Sequence, residues 1–275
     1  DVSQAVGIVA SAIRIYPNSD RAQRAAVERG ILKLRNLTAV SDLKNEESRT
    51  LLQTTLSQTI DHGLKAVSIN SDDYQNWLGL AMLYSNLAGE KVEGAYENAR
   101  AAYSRAQAAN PTNPLPLLQL AQLEVLQNNF SGALKDLESA IVLKKDFAPA
   151  YYLASQIYAS QNDFKNAIPA AAQTVKYAPD DPLGWYNLGL VAYGGAYYSD
   201  AVIALQKALS LQPQYANSLY MLGLTYYKQG KIQESIQAFS DIDKLDPGQP
   251  SVLKFLENLR AGEPLFPEES STKGE

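Results

Sequence analysis

PLGWYNLGLVAYGGAYYSDAVIALQKALSLQPQY, residues 182–215, decides the fold of this chain. Trp185, Leu188 and Gly189 stand in its first half, and Ala201, Leu205, Ala208 and Pro213 in its second. The apolar residues recur at spacings of three and four, the period of an α-helix. Gly194-Gly195 breaks the pattern midway, where two helices must turn into one another. Asp181-Pro182 at the front reads as an N-cap followed by proline at the first helical position. Pro213 ends the second helix, because proline has no N–H to donate and its ring clashes with the preceding turn. The stretch therefore predicts a helical hairpin.

Working outward, the hairpin repeats. Pro179, Pro213 and Pro247 lie 34 residues apart, and Tyr151, Trp185 and Leu219 stand 28 residues before them. Residues 148–181 give Tyr151, Ala154, Tyr158, Ala167 and Pro179. Residues 216–249 give Leu219, Leu222, Gly223, Tyr226, Phe239 and Pro247, with Ser235 and Ile242 where alanine is expected. Residues 114–147 give Leu117, Leu120, Ala121, Ala133, Leu137 and Ala140, with Lys145 in place of proline. Small residues let the two helices of a unit approach, and large ones fill the space between units.

The pattern of a large residue, Leu, a small residue and an aromatic, followed by Ala, a large residue, Ala and Pro, resembles the tetratricopeptide repeat family. That resemblance implies an all-α, right-handed superhelical solenoid of antiparallel helix pairs, about 14 helices in all. It is clearest over 114–249. Over 74–113 it persists in Trp77, Leu80, Ala81, Tyr84, Ala99, Tyr103, Ala106 and Pro111, with six extra residues around Leu87 to Ala95. Those six imply a longer loop or longer helix ends. Residues 1–70 read as divergent repeats, with helices over 20–35 and 46–69 and a polar linker over 37–45. Ala5, Val9, Ala12 and Pro17 resemble a second helix without its first, either a natural cap or the cut edge of a longer array. Residues 250–261 read as a capping helix. The Pro-, Ser- and Glu-rich residues 262–275 read as a disordered tail.

Composition narrows the function. The chain has 275 residues, no cysteine and a net charge of −5. Without cysteine there is no disulfide, thiolate nucleophile or Cys-based zinc site. Residues 1–70 carry nine Lys/Arg and seven Asp/Glu, and the remainder fifteen and twenty-two, so no cationic surface for nucleic acid is expected. No apolar run approaches the roughly 20 residues that span a bilayer. His62 is the only histidine, so any Ser-His-Asp arrangement or His-based metal site would need it, and it reads as an ordinary helical residue. Asp72-Asp73 and Asp180-Asp181 read as helix caps, and no phosphate-loop, dinucleotide or calcium-loop spacing is present. The expectation is no catalytic residue, no cofactor and no metal.

The resemblance also implies that the first helices line a concave groove for a peptide or partner helix. The residue after each large packing residue would face it: Tyr152, Tyr186 and Tyr220. Gln156, Leu190 and Leu224 follow, then Ala159, Tyr193 and Tyr227, with Leu118, Gln122 and Val125 as upstream equivalents. Tyrosine combines contact area with a hydrogen-bonding tip and is enriched at interfaces. The same rings could instead pack between adjacent helices. Members of the family that clamp a terminal carboxylate use a basic set at the groove. Asn187 and Lys228 alone do not make one, so a carboxylate clamp is not expected. The expected partner is a protein or peptide. Two further readings stay open: a self-associating module, or the segment following a bacterial membrane enzyme of the O-antigen ligase or polymerase type. The latter is motivated by the absence of an initial Met.

Overall fold

The computed structural model describes residue 9, residues 11–40 and residues 45–266. Among the described residues there are thirteen complete helices and no strand. They fall into two compact units, Asp1–Lys145 and Asp146–Glu275. Unit 1 holds α1 (Asp20–Val40), α2 (Glu46–Ile69), α3 (Tyr74–Gly89), α4 (Ala95–Ala109), α5 (Leu115–Leu126) and α6 (Phe130–Leu143). Unit 2 holds α7 (Ala148–Ser160), α8 (Phe164–Tyr177), α9 (Pro182–Gly194), α10 (Tyr198–Leu211), α11 (Ala216–Lys228), α12 (Ile232–Leu245) and α13 (Pro250–Ala261). Residues 11–15 are also helical. No described helix is long and apolar enough to cross a membrane.

Within each unit the helices pack as consecutive pairs. In unit 2, α7 lies on α8, α9 on α10 and α11 on α12, while α7, α9 and α11 touch in series. The contact inside a pair depends on side-chain size. A Cβ on Gly189 would sit 2.6 Å from Leu205 Cγ, and one on Gly223 would sit 2.8 Å from Phe239 Cζ. Ala201 and Leu205 are fully buried. The helices therefore approach to a distance that only a missing side chain permits. Four apolar residues of α13, Val252, Phe255, Leu256 and Leu259, close the core of this unit. Burying such side chains is worth roughly 1.5–3 kcal/mol each.

The turns repeat with the same period. A three-residue link joins the helices of four pairs, and its middle residue is left-handed each time: Asn128 (φ 57°), Asn162 (φ 59°), Ala196 (φ 62°) and Gly230 (φ 73°). These positions are 34 apart. Gly194-Gly195 is thus not the strained part of its turn, since Gly195 has an ordinary φ of −79°. Instead a Cβ on Gly194 would lie 2.6 Å from Cε1 of Phe164. Glycine makes room there for a ring, and Ala196 takes the left-handed position.

The helix starts are capped as their sequence suggests. Asp73 accepts from Gln75 N at 2.9 Å and Asp181 from Leu183 N at 2.9 Å. The two tryptophans are anchored alike, Trp77 Nε1 donating to Ser71 O at 2.8 Å and Trp185 Nε1 to Pro179 O at 2.7 Å. The six extra residues of the α3–α4 pair are divided. Relative to the α9–α10 pair, α3 is three residues longer after Trp77, the link is two longer, and α4 begins one residue earlier before Ala99.

Two stretches differ from expectation. α1 runs to Val40, into the segment read as linker, whose residues 41–44 lie outside the described residues. Residues 262–266 are not a loose tail. Leu265 is buried, Phe266 packs 5.5 Å from the Phe255 ring, and Asn258 Nδ2 donates to Pro264 O at 3.1 Å. The apolar side chains of Leu265 and Phe266 outweigh the polar composition around them. Residues 267–275, and Ala5 of the proposed cap, lie outside the described residues.

Two stability changes follow. Ala196→Gly removes a Cβ from a left-handed, exposed position, and chemical denaturation should show a gain of about 1 kcal/mol. Gly189→Ala should lose roughly 1–3 kcal/mol by overpacking against Leu205. Gly79→Ala tests the contrast: its Cβ would meet only Arg24 Cγ at 3.6 Å, so helix propensity should dominate and stabilise by up to about 1 kcal/mol.

Candidate partner-binding face

The first helices of unit 2 each carry two large residues in succession at their fourth and fifth positions: Tyr151-Tyr152, Trp185-Tyr186 and Leu219-Tyr220. The first of each couple holds the unit together. Leu219 is buried, Trp185 is bonded to Pro179, and the Tyr151 ring lies 5.6 Å from that of Tyr177. A helix advances 100° per residue, so the second of each couple faces a different side.

Tyr152 and Tyr186 are half-buried, and the Tyr186 ring lies 5.2 Å from that of Tyr215 at 49°. Burial pushes the Tyr152 phenol above its ordinary range, and the nearby Asp181 carboxylate and Tyr186 push further. Tyr215 is raised by burial and then by Tyr186, Tyr152 and Asp181. Tyr186 is raised by burial. The phenols stay neutral at pH 7, able both to donate and to accept.

Further along the helices, Gln156 and Leu190 are exposed, Leu190 at 40%. Tyr193 is half-buried, its ring 5.6 Å from that of Tyr198 and its phenol raised by burial, then by Tyr198 and Tyr220. The last repeat is placed differently. Leu224 is 8% exposed and belongs to the apolar core, while the Tyr220 ring packs 5.9 Å from Phe239 and 6.1 Å from Phe255. Tyr227 packs at the edge of the same core. Phe255 of α13 packs against Tyr220, whose counterpart one repeat earlier, Tyr186, packs on Tyr215 instead.

Asn187 is buried rather than beside a groove. Its Nδ2 donates to Ser155 Oγ at 2.7 Å, and that hydroxyl donates to Tyr152 O at 2.7 Å. This chain of bonds fixes α7 to α9 behind the tyrosines. Sequence reading missed Asp181 and Tyr215 as part of this face. Both precede a first helix and stand 34 apart, so the repeat itself carried the signal.

Unit 1 holds clefts of another kind. One of about 550 Å³ is lined by residues including Arg24, Ile31, Leu78 and Met82, with no aromatic ring. Arg24 is already paired with Asp73 at 2.8 Å. His62 is tied into the fold, its Nδ1 lying 2.7 Å from Gln23 Oε1, and burial lowers its pKa. Glu124 is buried, accepting from Tyr96 Oη at 2.9 Å and from Asn129 Nδ2 at 2.6 Å, with Arg100 Nε at 3.6 Å. Burial, and then the Glu124 charge, push Asp136 up to about 6.

Comparison with known proteins fits this geometry. The tetratricopeptide repeat profile matches residues 118–182, 152–216 and 186–250 in overlapping registers. Residues 118–250 belong to the tetratricopeptide repeat family. It is similar to the cytochrome c-type biogenesis protein CycH of Rhizobium meliloti (strain 1021), 29% identical over 113 residues, covering 40% of this chain and 30% of that protein. Among solved structures, the hetero-tetramer Cut9-Hcn1 of the APC/C aligns over 94% of this chain and 46% of that one, with TM-score 0.59 and 16% identity. The tetratricopeptide protein YrrB aligns over 70% of this chain and 95% of its own, with TM-score 0.56 and 17% identity. These structures share the fold. The chain thus spans less than a third of CycH and less than half of the Cut9-Hcn1 chain.

The raised Asp136 gives a signed pH dependence. Between about 4 and 6 the folded chain holds a proton that the unfolded chain releases, so this group's contribution to stability falls as pH rises and remains unfavourable above 6. Asp136→Asn should gain about 1 kcal/mol at pH 7.5, allowing for partial solvent screening, and almost nothing at pH 4, by denaturant titration at both values.

Proposed function

We propose that this chain is a non-catalytic scaffold whose unit 2 holds an extended segment of another protein. The observation that carries the reading is the row of half-buried rings on touching first helices, Tyr152, Tyr186 and Tyr193, with exposed Gln156 and Leu190 beside them. Tetratricopeptide arrays serve as scaffolds for protein interaction, and YrrB is described as having an unusual peptide-binding site. The rings are supported from behind by the Asn187–Ser155 bond, so their positions are set before a partner arrives. Preorganised aromatic side chains lose little freedom on binding, which lowers the cost of association. Covering the remaining half of each ring contributes roughly 1 kcal/mol. With a peptide backbone bonding to the phenols and Gln156, micromolar affinity is the expected range.

The test uses peptides selected on the immobilised chain from a displayed library. Tyr152→Ala with Tyr186→Ala should weaken the selected peptides at least about tenfold, equal to 1.4 kcal/mol, with the helical circular dichroism unchanged. Tyr220→Ala is the poorer choice, because that ring packs on Phe239 and Phe255. A folded double variant that binds every selected peptide as before would remove this reading.

A further inference from the structure

Resting on that reading, we propose that Tyr152, Tyr186 and Tyr215, with Asp181 beside them, receive one cationic side chain, arginine or lysine, of the bound segment. The Tyr186 and Tyr215 rings meet at 49° with centroids 5.2 Å apart, so their faces open as a wedge rather than lying flat on each other. The face of an aromatic ring attracts a cation within about 6 Å of its centroid. Tyr152 stands on α7, which touches α9, the helix that carries Tyr186 and is capped by Asp181, and the Asp181 charge and Tyr186 both raise its phenol.

Asp181 supplies the counter-charge. Its Oδ1 accepts from Leu183 N at 2.9 Å to cap α9. Among the described residues of unit 2, the ion pairs are Lys244 with Asp241 and Lys254 with Glu257, and neither involves Asp181, whereas Asp73, a cap three helix pairs earlier, is paired with Arg24. The surrounding charge has the same sense. Residues 146–275 contain fourteen Asp/Glu and nine Lys/Arg, a difference of −5, while residues 1–145 contain fifteen of each. Unit 2 therefore carries the whole net charge of the chain. A negative field draws a cationic segment in, and the wedge of rings gives its charged tip a place to stop. A neutral or acidic segment would leave Asp181 unpaired and the ring faces unused.

The experiment follows the tyrosine ring signals of the full chain by NMR, assigned through single Tyr→Phe variants. The probes are N-acetyl-arginine amide and N-acetyl-citrulline amide, which have nearly the same shape but differ in charge. The arginine probe should shift the Tyr152, Tyr186 and Tyr215 signals at least about fivefold more than the citrulline probe. Asp181→Asn keeps the cap, since asparagine caps as well as aspartate, and should weaken the arginine probe at least about threefold. Equal shifts from both probes, no shift from either, or an unchanged affinity in Asp181→Asn would each overturn the proposal. If displayed peptides still depend on Tyr152 and Tyr186 after such a result, the face binds peptides without a cation pocket. If they do not, the broader reading falls with it.

Discussion

Two helices joined by three residues can share a core only if their backbones come close, and in this chain the close contact is made where side chains are missing. Gly189 faces Leu205, Gly223 faces Phe239, and the alanines at 133, 167 and 201 are fully buried. Each of these contacts sets how far one helix of a pair stands from the other. That spacing leaves room for one large residue per repeat, such as Leu205 or Phe239, at the centre of the pair. Interiors are packed too tightly to absorb an added methyl group without displacement. The pair therefore behaves as a rigid block, and stacking blocks with one spacing produces a period of 34 in everything built on them.

The periodicity reaches the surface. Because each block presents its first helix in the same rotation, Tyr152 and Tyr186 occupy equivalent places on neighbouring helices. Asp181 and Tyr215, which precede α9 and α11, recur by the same translation, and Tyr215 packs against Tyr186. Nothing in the local sequence of either residue marks its place. The repeat assigns it, just as it assigns the left-handed turn to Asn128, Asn162, Ala196 and Gly230.

This explains what was legible in the residues and what was not. Helix pairs, their caps and the small-residue contacts follow from local spacing and steric size, and Trp185, Leu205 and Asp181 could be placed from sequence. The role of Gly194-Gly195 could not, because glycine is read first as a turn former, and its reason here is the Phe164 ring from another helix. The fates of Tyr220 and Leu224 were equally hidden. They repeat Tyr186 and Leu190 in register, yet Phe255 of α13 lies against that last face. Periodic positions are equivalent only where their neighbours are, and at the end of an array the neighbour changes.

The end effect changes what the last repeat presents. A solenoid must cover its last apolar face, and α13 does so with Val252, Phe255, Leu256 and Leu259. That covering buries Leu224 and sets the Tyr220 ring on Phe239 and Phe255, while Tyr152, Tyr186 and Tyr193 are half-buried on the helices before it. There the buried bonds from Asn187 to Ser155 and from Ser155 to the Tyr152 carbonyl tie α7 to α9, the helices that carry the rings. The cover of the apolar core by α13 and the different surroundings of Tyr186 and Tyr220 are thus two results of one packing choice.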